Sequence, residues 1–154
     1  MNEAGLVIEL DALEARVAED LRTISYPDAA WVPERQAPDG RPVLDVLVIG
    51  GGQGGLAVAH ALKRARIGRV RIVDRSPEGF EGPWLTYARM PTLRSPKEVN
   101  GPDLDIPSLA FRSWFVAQHG SAAWEDLNKI AKEDWAIYLL WLRRVLDISI
   151  ENEV

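Results

Sequence analysis

The chain has 154 residues, 47% of them hydrophobic and 27% charged, the make-up of one globular domain rather than of a disordered segment. With 18 basic and 23 acidic residues the formal net charge is −5, which argues against a nucleic-acid binder working through a broad basic field. Cysteine is absent, so disulfides, thiolate metal sites, cysteine nucleophiles and dithiol redox chemistry are excluded. His60 and His119 are far apart in the chain, which disfavours a histidine-rich zinc site. The N-terminus lacks the basic region of a signal peptide, and apolar runs such as Ala136 to Leu142 are far too short to span a bilayer. The expectation is a cytoplasmic protein with neither a nucleic-acid nor a membrane partner.

Leu6, Leu10, Leu13, Val17, Leu21 and Ile24 recur every three or four residues, one apolar stripe of an amphipathic helix over residues 1–26. Tyr26-Pro27 ends it, because proline lacks an N–H and restricts the residue before it. The stripe is expected to dock on the domain surface; a homo-oligomer formed through this helix is the sharper alternative. Residues 27–42 carry Pro27, Pro33, Pro38 and Pro42 with the turn pair Asp39-Gly40, and read as an extended linker.

Residues 43–154 begin with a β-branched apolar run, Val43 to Ile49, which predicts a parallel strand covered on both faces. It enters Gly50-Gly51-Gly52-Gln53-Gly54-Gly55, followed by the helical stretch Leu56 to Ala65, Gly68, and a second short strand, Arg69 to Asp74. Strand, glycine turn, helix and strand in about 32 residues make a βαβ unit. Gly50, Gly52 and Gly55 fit G-x-G-x-x-G. Gly50 is expected to make the tight turn, Gly52 to admit a diphosphate close to the backbone, and Gly55 to let helix and strand pack closely. The helix N-terminus offers unpaired N–H groups and partial positive charge to a pyrophosphate. Asp74 lies 19 residues beyond Gly55, where a carboxylate can accept the ribose hydroxyls.

A triphosphatase phosphate loop is rejected, because Leu56-Ala57 stands where Lys-Ser/Thr is needed. His60 is read as a packing or surface residue of the helix. The basic residues from Lys63 to Arg75 read as a solvated face, and Arg75 can reach the adenosine side of the site.

The stretch from Asp45 to Asp74 resembles the N-terminal FAD-binding motif of two-dinucleotide-domain flavoproteins. Gly79-Phe80-Glu81-Gly82-Pro83-Trp84 resembles the Gly-Gly-x-Trp segment of flavin-containing and Baeyer–Villiger monooxygenases, with proline in place of one residue. Tyr87 to Lys97 resembles the loop between that segment and the next helices, and Ile106 to Phe111 and Trp135 to Arg143 are similar to regions of the lysine and ornithine N-hydroxylases. The resemblance implies an α/β fold, a Rossmann-like FAD/NAD(P)-binding unit with a parallel sheet, preceded by the amphipathic helix and followed by an aromatic-rich helical segment. It implies FAD as cofactor, held by Gly50, Gly52, Gly54, Gly55 and Asp74, with Arg75, Gly82, Trp84 and Arg94 around it. In that family NADPH reduces the flavin and a peroxyflavin passes oxygen to a small-molecule substrate. No side chain here is assigned as a catalytic acid or base.

In the tail, Ser108 is expected to cap a helix reaching Gln118, with His119-Gly120 as its stop. Trp135, Leu139, Leu142 and Leu146 form a core stripe widened by Tyr138, Trp141 and Val145, and Ile148-Ser149-Ile150 alternates like a strand start. Trp114, Trp124, Trp135 and Trp141 read as helical core. No second G-x-G-x-x-G follows, so an incomplete domain is expected, with NADPH bound only by a full-length parent and a C-terminal half or partner completing the site. An NAD-binding dehydrogenase fragment and a non-catalytic interaction module are the competing readings.

Overall fold

The computed structural model describes residues 3–154, with side chains from Glu9 onward. Seven elements follow in order: α1 (Glu3–Thr23), β1 (Val46–Ile49), α2 (Gln53–Arg64), β2 (Val70–Val73), a 3-10 turn (Pro107–Leu109), α3 (Phe111–Asp126) and α4 (Lys132–Val145). β1 and β2 pair in parallel, Val46 opposite Val70 through Ile49 opposite Val73. The segment after α4 extends the sheet on the far side of β2. Glu151 N donates to Ile72 O, and Asp74 N donates to Glu151 O, each at 2.9 Å. Ile148 and Ile150 turn inward and Ser149 outward, the alternation that a strand imposes. This is an α/β, Rossmann-like arrangement with α2 as the crossover between parallel strands.

Two expectations for the first strand need correction. Val43 does not join the ladder; its N–H donates to Arg35 O at 3.0 Å, which draws this part of the run back onto the linker. Nor is the strand covered on both faces. α2 packs over Val48, whereas Leu47 and Ile49 on the opposite face are 50% and 83% exposed. A continuous apolar run shows that both faces suit burial, not that something covers them.

The core lies where α1, α3, α4 and the 3-10 turn converge. Leu109, Tyr138, Leu142 and Val17 are fully buried, with Trp114, Trp124, Trp135 and Trp141 among them. Phe111 is the hub of the aromatic cluster, 5.3–5.4 Å from the Trp114, Trp135 and Tyr138 rings, the spacing favoured by tilted and edge-on aromatic pairs. The Tyr138 hydroxyl donates to Leu109 O at 2.8 Å, so a buried polar group is satisfied. From α1, Leu13 and Val17 enter this core, while Leu6 lies outside the described side chains. Glu14 accepts from Trp141 Nε1 at 3.1 Å and from Arg144 Nη1 at 3.0 Å, which ties α1 to the C-terminal part of α4.

Ser108 is not a helix cap. It sits inside the 3-10 turn with its hydroxyl buried and without a partner among the described residues, and α3 starts only after Ala110. The fixed φ of Pro107 favours the tight turn, and Ser113 Oγ donates to the Pro107 carbonyl at 2.7 Å. Gly120 does interrupt the helix, at φ +83°, but as a kink beyond which helix resumes to Asp126.

The linker lies against the C-terminal end of α2. Trp31 Nε1 donates to Ala65 O at 2.8 Å, Arg66 Nε to Pro27 O at 3.0 Å and Arg69 Nη2 to Pro33 O at 2.8 Å. Lys63 reaches Leu146 O at 2.8 Å, Arg69 pairs with Asp45 at 2.9 Å, and Arg71 grips Glu151 through two nitrogens. The basic run is therefore not simply a solvated face. Four of its members tie distant segments together, contacts that their local sequence gives no sign of. Among the described residues, no helix is long and apolar enough to cross a membrane.

Candidate functional site at the glycine turn

β1 ends with Gly50 N donating to Val73 O at 2.8 Å. The chain then reverses through Gly50 at φ +106°, a conformation that penalises any Cβ. A Cβ built on Gly55 falls 1.9 Å from Gly50 O, so the helix start presses directly against the end of the strand. From sequence, Gly52 is expected to admit the diphosphate. In the fold its Cβ direction faces backbone instead, 3.3 Å from Gly82 Cα. The open side of the turn lies over Gly50 and Gly54, where an added Cβ meets nothing within 4 Å.

Leu56 N donates to Gly52 O at 2.9 Å. The amides of Gln53, Gly54 and Gly55 before it find no acceptor among the described residues. Three unpaired N–H groups at the positive end of a 12-residue helix, beside an open cradle, are an arrangement that suits an anion. No acidic side chain occupies the first turn of α2 to compete with a phosphate.

Asp74 lies beside the turn, nearly buried, and both oxygens are in use. Oδ2 accepts from Gly51 N and Oδ1 from Ser76 N, each at 2.7 Å. Burial by itself would push this carboxyl up. The two backbone donors outweigh that and hold it below the ordinary aspartate value. Each oxygen keeps a second lone pair, so Asp74 can brace the glycine turn and still accept a ribose hydroxyl. Arg75 is exposed beside it.

The segment from Gly79 to Trp84 crosses over the turn, and Glu81 holds it there. The Glu81 carboxylate accepts from Gly79 N at 2.8 Å, Arg143 Nη1 at 2.9 Å and Asn152 Nδ2 at 2.6 Å. Its side chain is 7% exposed and that of Arg143 13%, so the pair is largely withdrawn from solvent. Sequence reasoning passed over both residues. An acid in a glycine-rich loop looks solvated until the fold brings an arginine to it from 62 positions away.

Trp84 packs edge-on against Trp135, ring centres 6.3 Å apart, and its indole N–H is buried without an acceptor among the described residues. Arg94 is exposed on a loop pinned to the start of α4, where Leu93 N donates to Ile130 O at 2.8 Å and Lys129 Nζ to Arg94 O at 2.7 Å. Gln53, Trp84, Arg94 and Trp135 share a cavity of about 270 Å³ beside the glycine turn. Among the expected site residues, Gly50, Gly52, Gly54, Gly55, Asp74 and Gly82 gather at the turn, with Arg75 at its rim. Trp84 and Arg94 lie on the cavity side.

His60 is one turn further along α2, 1% exposed, and neither ring nitrogen has a hydrogen-bond partner among the described residues. Burial, with Arg64 and Lys63 nearby, holds its pKa below the usual histidine value. It is core, away from the cradle. The described residues include no cluster of three histidine or carboxylate side chains placed to hold a metal ion.

A parallel βαβ unit with a glycine turn, unpaired helix amides over open space and a carboxylate at the second strand has the arrangement that suits a dinucleotide. Residues 47–150 match the FAD-NAD(P)-binding family model, and the chain belongs to that family. It is also 44% identical over 145 residues to a FAD-dependent urate hydroxylase of Xanthomonas campestris pv. campestris, a match covering 94% of this chain and 30% of that protein. The chain thus spans less than a third of the length of the curated relative it matches. No solved structure matches it.

Proposed function

We propose that this chain is the FAD-binding part of a flavin-dependent monooxygenase whose substrate is a planar oxidised heterocycle such as urate. The observation that carries the reading is the cradle: three unpaired amides of α2 opposite open space, braced by Asp74. The likeness to a FAD-dependent urate hydroxylase along nearly the whole chain supports the choice of FAD and of an oxygen-transferring class.

FAD supplies the redox and oxygen-transfer chemistry when bound. The protein's own part is positioning. The amides of Gln53, Gly54 and Gly55 receive the pyrophosphate, with the dipole of α2 favouring its charge. Asp74 accepts from the adenosine ribose while its bonds to Gly51 and Ser76 keep the turn in shape. Glu81 and Arg143 hold the Gly82 segment against Gly52, which sets where Trp84 stands. Trp84, Trp135, Leu93 and Met90 line the adjoining cavity with apolar surface, which would keep water from a ring bound there.

The test is titration of the 154-residue chain with FAD and separately with NAD, followed by flavin absorbance and by tryptophan fluorescence. Saturable FAD binding in preference to NAD, weakened by Gly54→Val, is expected. A folded chain that prefers NAD, or binds neither, overturns the reading.

A further inference from the structure

The indole N–H of Trp135 is only ever a donor. It lies 3.1 Å from Gln53 Oε1, so the orientation of the Gln53 amide is settled by chemistry: the oxygen must face the indole. The NH2 group is then on the other side, and it has no acceptor among the described residues. Trp135 has no freedom to release this arrangement. It is 4% exposed, with Phe111 at 5.4 Å, Tyr138 at 5.1 Å and Trp84 at 6.3 Å, and a Cβ on Gly101 would lie 2.9 Å from its ring. Gln53 itself is the first residue of α2, and its backbone amide is one of the three at the cradle.

The cavity of about 270 Å³ that Gln53 lines is apolar along Trp84, Met90 and Leu93. Arg94 stands at its edge, and its guanidinium makes no ion pair among the described residues. Apolar aromatic walls favour a flat ligand, while a fixed amide donor and an unpaired guanidinium favour one rich in acceptor oxygens.

We infer that this cavity receives a planar, carbonyl-bearing ring and that Gln53 Nε2 donates a hydrogen bond to one of its oxygens, held in that pose by Trp135. The inference deepens the flavoprotein reading and rests on it for the flavin ring as one source of the carbonyl; the ring of a bound substrate is the other. It makes Gln53 a ligand-contacting residue and Trp135 a positioning residue.

Side-chain amide NMR tests this directly, with the Gln53 NH2 cross-peaks assigned by their loss in Gln53→Glu. The probes are lumiflavin, which has the flavin ring without ribityl or phosphate, and uracil, a two-carbonyl ring that is not a flavin. Movement of the cross-peaks with lumiflavin assigns the contact to the flavin ring, and movement with uracil alone assigns it to the substrate ring. Gln53→Glu keeps the acceptor for Trp135 but removes the donor. It should weaken the responding probe at least about tenfold, from the lost hydrogen bond and the added repulsion, without lowering the urea midpoint, since a carboxylate in the first turn suits the helix. Cross-peaks that neither probe moves overturn the inference. When neither probe moves them but the chain still binds FAD, the inference falls and the cofactor reading stands. Cross-peaks moved by lumiflavin in a chain that does not bind FAD sustain the inference and remove the cofactor reading.

Discussion

Gly54 and Gly55 are neighbours in the same helical turn, yet an alanine at each should have opposite consequences. At Gly55 the new Cβ would fall 1.9 Å from the Gly50 carbonyl oxygen, and the offending atom is backbone rather than the end of a flexible side chain. Gly50 is itself held at φ +106°, with its N–H bonded to Val73 O, so relief requires α2 to lift from the sheet. Overpacking of this kind costs about 1–3 kcal/mol, and a backbone clash belongs at the upper end. For a chain of this size about 3 kcal/mol is a fall in melting temperature of roughly 6–12 °C. At Gly54 the Cβ meets nothing within 4 Å, and alanine suits a helix better than glycine by up to about 1 kcal/mol. Gly54→Ala should therefore hold or raise the melting temperature, while its methyl intrudes on the cradle and weakens FAD. Thermal and urea unfolding followed by tryptophan fluorescence, beside FAD titration, separates the two effects. A Gly55→Ala protein as stable as the parent would refute the close approach of helix and strand, and a destabilised Gly54→Ala would refute the open side of the turn.

Three further outcomes follow from the same geometry. Asp74→Asn replaces an ionised acceptor of two backbone amides and should cost about 1.5–3 kcal/mol at pH 7. Because the folded pKa is depressed, that contribution is present above the unfolded aspartate value near 4 and is lost as pH falls through the folded one, so acid titration of wild type and variant should converge below it. Glu81→Ala removes the nearest carboxylate from a half-buried Arg143, which keeps only Glu78 at 3.4 Å, and should cost about 1.5–3 kcal/mol; a change below about 1 kcal/mol in urea unfolding would show that the pair does not hold the Gly82 segment. His60 is kept neutral by burial, so its folded pKa lies below the unfolded value near 6.5. The unfolded chain then binds more protons, and stability should drop as pH falls below about 6.5. His60→Leu should flatten that slope between pH 7.5 and 5.5, and an unchanged slope would count against a buried neutral histidine.

Gly50 to Gly55, the strands on either side and Asp74 could all be read from the sequence. Local constraints write them there: a turn that needs positive φ, a helix start without side chains, an alternation or run of apolar residues. The stripe from Trp135 to Leu146 was legible for the same reason, since a period near 3.6 reports the buried face of a helix. What each glycine accommodates was not legible, because it depends on which backbone lies opposite. Gly52 faces Gly82, and the cradle opens over Gly50 and Gly54. Ser108 has the composition of a cap, but Pro107 begins a 3-10 turn and the hydroxyl goes inside. Glu81 with Arg143, and Gln53 with Trp135, join residues 62 and 82 positions apart. Such pairings exist only after the chain has closed on itself. The sequence by itself therefore determined the dinucleotide-binding unit, because that is a matter of local conformation and period. Only the tertiary structure decided how Asp74 is engaged, which side of the turn is open and what orients Gln53, because each is a contact between segments that carry no local sign of one another.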